Sequence, residues 1–210
     1  MTALALWPTN IWSENLLAQI GAAGLDALVA IGDEYERAHP EAHVPAAMRH
    51  GPEVSYNLLL DARPEPAAFK AILANRMRLL AEKEGFLEIP PFEAVCTLRR
   101  FGPGEYAKPH NHRSVDYVAV LWLTLEVTDD RRDRHQTPAG NRLHLIDPIA
   151  ARSRLLNHTM LRAIRPVPGL FVIHPAHIFH TSEVNLGAED TVALVTNIRL
   201  VDPTRIYAPL

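Results

Sequence analysis

The feature that most limits the fold is a change of hydrophobic period near residue 92. Before it, apolar residues recur every three to four positions. After it they alternate with a period of two, in short runs cut off by Gly and Pro. The runs fall at 92–101, 115–127, 141–147, 160–165, 169–174, 180–185 and 191–201. Gly102-Pro103-Gly104, Pro138-Ala139-Gly140 and Pro166-Val167-Pro168-Gly169 separate several of them. Seven or eight short strands with such punctuation make an antiparallel sandwich or barrel. The run 115–127 (VDYVAVLWLTLEV) is apolar throughout and reads as buried on both faces.

The first part of the chain reads as helical. Ser13 is positioned to cap a helix running to about Arg37, with Leu17, Ile20, Leu28, Ile31 and Tyr35 at helical spacing. Gly21 and Gly24 weaken that reading. Asn57 to Leu60 reads as a short strand. A second helix starts at Pro66, carries Phe69, Ile72, Leu73, Met77 and Leu80 on one side, and ends before Gly85 at C′. The segments 39–65 and 128–140 read as irregular. The two helices are expected to pack on the outside of one sheet.

A length of 210 residues suits one domain with its own core. The net charge of −3 argues against a chain-wide nucleic-acid footprint. Charge is unevenly placed, because residues 131–165 hold eight Arg against two Asp. That stretch is either a set of solvated loops or a basic rim attracting an anion. The single cysteine, Cys96, excludes a disulfide scaffold and CxxC zinc sites and reads as a buried, inert thiol. The first residues lack a signal-peptide pattern, and no apolar run is long enough to span a membrane. A cytoplasmic protein is the expectation, and a homodimer is compatible with the sequence. Motifs for serine hydrolysis, phosphate cradling or dinucleotide binding are missing.

Histidine stands out, with 11 residues. His110 and His112 flank one Asn, so on a strand they share a face and can reach one metal. His174, His177 and His180 follow Pro168-Gly169, and facing strands can bring His180 to the first pair. Three such ligands leave positions open for substrate and dioxygen, the logic of non-haem Fe(II) sites, which usually combine two His with a carboxylate. Asp116 is the nearest carboxylate to the pair, four residues after His112 and of the same strand parity, so it can join or replace a ligand. His174 reads as core or pocket wall, His177 as a turn residue, and His144 as turned away from Leu143 and Leu145. His135 and His158 read as surface residues.

The segments Leu98–His112, Asn141–Pro148, Pro168–His180 with Glu183-Val184-Asn185, and Thr191–Asn197 occur in an order that resembles the 2-oxoglutarate- and Fe(II)-dependent oxygenases. More narrowly, they resemble the small bacterial and phage-type members. The resemblance spans about half of the chain, from Thr97 to Val201. It implies a mostly β double-stranded β-helix, or jelly roll, over 92–203, with 1–91 as helical support. It also implies iron held by His110, His112 and His180, and 2-oxoglutarate as cosubstrate.

Two departures matter. The common pattern has a carboxylate where this chain has His112. It also has an Arg, pairing the distal carboxylate of 2-oxoglutarate, where this chain has Thr191. Arg199 shares strand parity with Thr191, and Arg99, Arg100, Arg142 or Arg165 can substitute from neighbouring strands. Arg199, Thr191, Arg100 and Asn197 are the expected cosubstrate contacts. The spacing His110-x-His112-xxx-Asp116 is also similar to the cupins. Three readings follow. The first is a 2-oxoglutarate-dependent dioxygenase hydroxylating a small molecule or peptide. The second is a cupin-like metal-dependent dioxygenase or isomerase without 2-oxoglutarate, and the third a non-catalytic jelly-roll binding protein.

Overall fold

In the computed structural model of the chain, residues 10–39, 56–85, 91–126, 140–146 and 161–201 are described. The element order is β1 (Trp12–Asn15), α1 (Leu17–Ile20), α2 (Ala22–Ala38), a 3-10 turn (Leu58–Leu60), α3 (Pro64–Lys83), β2 (Phe92–Phe101), β3 (Tyr117–Thr124), β4 (Leu143–Ile146), β5 (Leu161–Ile164), β6 (Leu170–Pro175), β7 (Phe179–Ser182) and β8 (Thr191–Leu200). Five strands form one sheet in the order β1-β6-β3-β8-β2, and three form another in the order β5-β4-β7. All pairs are antiparallel.

Alternation along the strands sorts side chains into two cores. On one face of the large sheet, Leu98, Leu121, Phe171, Ile173 and Leu194 pack under Leu25, Leu28, Ile31, Phe69, Leu73 and Leu80 of α2 and α3. On the other face, Val118, Val120, Trp122, Val172 and Ala193 meet Leu143 and Leu145 of the small sheet. The result is a jelly roll with helices on the outer face of the large sheet. Phe69 and Phe171 anchor the helical layer edge to face, with centroids 5.8 Å apart. Burying one such ring is worth about 1.5–3 kcal/mol. A Cβ at Gly32 would stand 2.9 Å from Leu98 Cδ2, so the missing side chain lets α2 approach β2 closely.

The expected helix from Ser13 to Arg37 is interrupted. Ser13 lies in β1, which pairs with β6, and Gly21 at φ 77° separates α1 from α2. Asn57 to Leu60 is a 3-10 turn, not a strand, and it protects the free edge of β2. Asn57 Nδ2 donates to Ala94 O at 2.9 Å, Cys96 N donates to Asn57 Oδ1 at 2.9 Å, and Leu98 N donates to Tyr56 Oη at 3.1 Å. These bonds satisfy edge groups that a further strand would otherwise seek. The helix expected from Pro66 begins at Pro64, and Gly85 at φ 84° follows its end. Strand β2 matches its expected limits, and the other strands fall within or beside theirs. The expected ends at Val127, Asp147 and Met160 lie outside the described residues, as do Pro148, His135 and His158. Most of 39–65 and 128–140 lies outside them too.

Candidate metal centre

The histidine site is built by one bridge between two distant segments. After β2, the chain turns at Gly102–Gly104 and runs back along β7. His110 N donates to His180 O and His180 N to His110 O, each at 2.9 Å. His180 sits mid-strand in β7, opposite Leu145 of β4. The His110 stretch is not a regular strand; it forms this one isolated bridge. His112 lies just past it, its N–H donating to Ala176 O at 3.0 Å. The three rings nevertheless converge. Their centroids are 4.3 Å apart for His110 and His180, and 5.2 Å from His112 to each. One ligand nitrogen from each lies within 4.8 Å of the others.

Carbonyl oxygens fix which nitrogens carry protons. His110 Nδ1–H donates to Lys108 O at 2.6 Å, and His180 Nδ1–H donates to Ile178 O at 3.2 Å. A carbonyl only accepts, so both rings keep Nε2 lone pairs, the second-shell arrangement that orients metal-binding imidazoles. His112 Nε2 is buried and has no hydrogen-bond partner. Burial, then the neighbouring His110, lowers the His112 pKa to about 4. Burial, then His174 and His110, lowers that of His180 to about 2. Both rings are therefore neutral near pH 7, the form that ligates.

This donor set fits a first-row divalent ion. Such ions hold imidazole nitrogens at about 2.1 Å, so three ligands on one ion stand about 3.0–3.6 Å apart. The three nitrogens lie within 4.8 Å of one another, and side-chain rotation would draw them together around an ion. Imidazole suits iron, zinc, copper and nickel.

His174 is fully buried. It meets His180 edge to face at 4.8 Å and donates Nδ1–H to Pro175 O at 2.9 Å, with Nε2 unpartnered. Asn197 faces His112 from β8, where its amide oxygen favours the protonated imidazole; that Oδ1 makes no well-formed hydrogen bond. His177 is exposed in the turn. His144 points to the outer face of the small sheet and bonds Glu183 Oε1 through Nε2 at 2.8 Å. Cys96 is fully buried, and burial pushes its thiol up to about 12, so it is inert.

Three expected contacts fall elsewhere. Asp116 is exposed before the start of β3, and its Oδ2 accepts Leu200 N at 2.7 Å. The chain turns at residues 113–114, so strand parity with His112 does not hold there. Asp116 is not in the histidine group. Arg100 lies on the helical face of β2, paired with Asp33 and, at 3.4 Å, with Glu36 of α2. Arg199 lies at the open end of β8, exposed and paired with Glu93 at 2.6 Å. Thr191 is buried on the inter-sheet face, its Oγ1 without a partner. The carbonyl anchors at Lys108, Ile178 and Pro175 had no sequence signal, because main-chain acceptors carry no residue code.

No protein-family model and no curated protein sequence matches the chain. Solved structures do. A prolyl-4-hydroxylase from Pseudomonas putida is 15% identical with TM-score 0.55, covering 92% of this chain and 89% of that one. A prolyl hydroxylase from Trichoplax adhaerens, in complex with a hypoxia inducible factor peptide fragment, is 11% identical with TM-score 0.55, covering 90% and 83%. AviO1 from Streptomyces viridochromogenes is 16% identical with TM-score 0.56, covering 96% and 93%. The chain thus has the jelly-roll fold of the 2-oxoglutarate/Fe(II) oxygenases, prolyl hydroxylases among them.

Proposed function

We propose that the chain is a non-haem Fe(II), 2-oxoglutarate-dependent oxygenase that hydroxylates a C–H bond of a small-molecule or peptide substrate. The observation that carries this reading is the convergence of His110, His112 and His180 at one end of a jelly roll. Shared fold alone would not carry it, since folds host many functions. Three converging imidazoles, two of them with carbonyl-anchored rings, form a site whose remaining positions are open to other ligands. Bound iron would supply dioxygen chemistry, coupling decarboxylation of 2-oxoglutarate to succinate and CO₂ with substrate hydroxylation. The chain's own part is placement. His110 and His180 are held by their bridge, His112 by Ala176, and His174 packs edge to face on His180. Val118, Val120 and Val172 keep water from the inter-sheet side. Among the described residues no helix is long and apolar enough to cross a membrane, and the enzyme is proposed to act in the cytoplasm.

The test is anaerobic Fe(II) loading followed by titration with 2-oxoglutarate, read in the visible charge-transfer band. A band that needs both components supports the proposal. One observation favours a second reading: the set holds no carboxylate, and Asp116 is engaged elsewhere. Stoichiometric iron with no 2-oxoglutarate band would assign the site to a cupin-like three-histidine enzyme. No bound iron would leave a jelly-roll binding protein.

A further inference from the structure

A fourth buried histidine stands beside the group of three. His174 of β6 and Asn197 of β8 both stand opposite Val118 of β3. Directly opposed residues share a face. Val118 packs into the inter-sheet core, so His174 projects between the sheets, where it meets His180. Its backbone neighbours on that face, Val118 and Val172, are apolar.

The proton of the His174 ring is accounted for. Nδ1–H donates to Pro175 O, and a carbonyl can only accept, so the lone pair of the neutral ring lies on Nε2. That atom is buried without a partner, in a residue with no exposed surface. A buried acceptor left unmet is costly, and native structures rarely keep one that no ligand or water fills. Asn197 Oδ1, on the other side of Val118, is a second unmet acceptor. This row presents lone pairs and calls for hydrogens.

His174 is not placed as a ligand itself. The nitrogens within 4.8 Å of one another belong to His110, His112 and His180, and His174 stands outside that group. Its bond to Pro175 O and its complete burial hold the ring where it is. A group bound to an ion stands about 2.1 Å from it and donates a hydrogen bond over about 2.8 Å more. An acceptor just outside the ligand set therefore faces what the ion carries. An ionised carboxylate has no hydrogen to give and would meet this lone pair with its own.

We propose that His174 Nε2 seats an O–H or N–H donor beside the metal centre, selecting donor-bearing groups over carboxylates and other groups that only accept. This rests on the function proposed above. The donor has two sources, a metal-bound water and a hydroxyl or amine of the substrate, and the test separates them.

The test uses the full chain with isotope-labelled histidine, loaded with Zn(II), which does no oxygen chemistry. NMR spectra linking ring nitrogens to ring protons report each Nε2 as bare, hydrogen-bonded or metal-bound. Hydroxylamine, which ligates through nitrogen and carries N–H and O–H, is compared with azide, which carries no hydrogen. With hydroxylamine, His174 Nε2 is expected at the hydrogen-bonded position, and with azide at the bare one. A hydrogen-bonded position with Zn(II) alone makes water the resident donor. One that appears only with hydroxylamine leaves that part to a substrate group. His174→Phe should weaken hydroxylamine binding relative to azide by about fivefold or more in calorimetry. A nitrogen that stays bare throughout overturns the seat, and so does one that moves to the metal-bound position, which would make His174 a ligand; both results spare the proposed function. Equal losses for the two probes in His174→Phe overturn it as well, and the wild-type spectra decide alone should that variant fail to fold. Zn(II) that moves no histidine nitrogen overturns both the seat and the proposed function.

Discussion

His110 and His180 exchange both main-chain hydrogen bonds across one antiparallel bridge, which sets their imidazoles side by side with centroids 4.3 Å apart. In such a pair the side chains leave the same face of the ladder. The site is therefore held by backbone pairing before any ion is considered. Replacing His180 removes a proposed ligand and keeps the bridge, since the bonds belong to the main chain. His180→Ala is expected to fold, to lose stoichiometric metal and to lose turnover. Metal analysis after anaerobic loading checks it, and retained metal would remove His180 from the site.

Asp116 supports a different structure. Its carboxylate receives the Leu200 amide and ties the end of β8 to the start of β3. Asp116→Asn is expected to leave metal stoichiometry unchanged and to cost about 1 kcal/mol of stability. Loss of metal in this variant would restore it as a ligand.

Phe69 joins α3 to the sheet through Phe171 and is 2% exposed. Phe69→Ala is expected to cost about 3–5 kcal/mol in denaturant unfolding. Because Phe69 lies on the face of the sheet away from the histidines, the folded variant should load metal as wild type does.

Asp61 carries an acid-stability signature. Its carboxylate accepts from Arg63 Nε, Nη2 and backbone N–H, with Oδ2 2.7 Å from Nη2. The Arg63 side chain is the largest cause holding its pKa down, to about 2 from an ordinary 3.8. The folded state thus binds the proton less readily than the unfolded one. The stabilisation is complete above pH 3.8 and fades as pH falls towards 2. Unfolding midpoints of wild type and Asp61→Asn should converge across that window. A constant difference between them would refute the assignment.

Much of this architecture is legible in sequence because strand alternation is a strong signal. Phe92–Phe101 alternates for ten residues and pairs along its whole length. Trp12–Asn15 was not legible. Four residues are too few to show a period, and Leu17 and Ile20 carry the helical phase of α2 back across Gly21. The grouping of His110, His112 and His180 was legible through their order and spacing. The arginines were not separable, because Arg99 and Arg100 are adjacent and one step along a strand exchanges faces. Arg199 shows the other limit of parity, which gives the side of a sheet but not the distance from its end.

The bridge between His110 and His180 also sets an order of events. Its partners are far apart in the chain, and closing that loop costs entropy that only the assembled sheets repay. An unfolded chain holds these imidazoles apart, so an ion that needs all three recognises the native state alone. Ligation and folding are then linked equilibria. At a free ion concentration one hundred times its dissociation constant, the native state gains about 2.7 kcal/mol. Withholding metal from the growing chain would thus slow nothing before the sheets meet, and would leave the finished molecule easier to unfold.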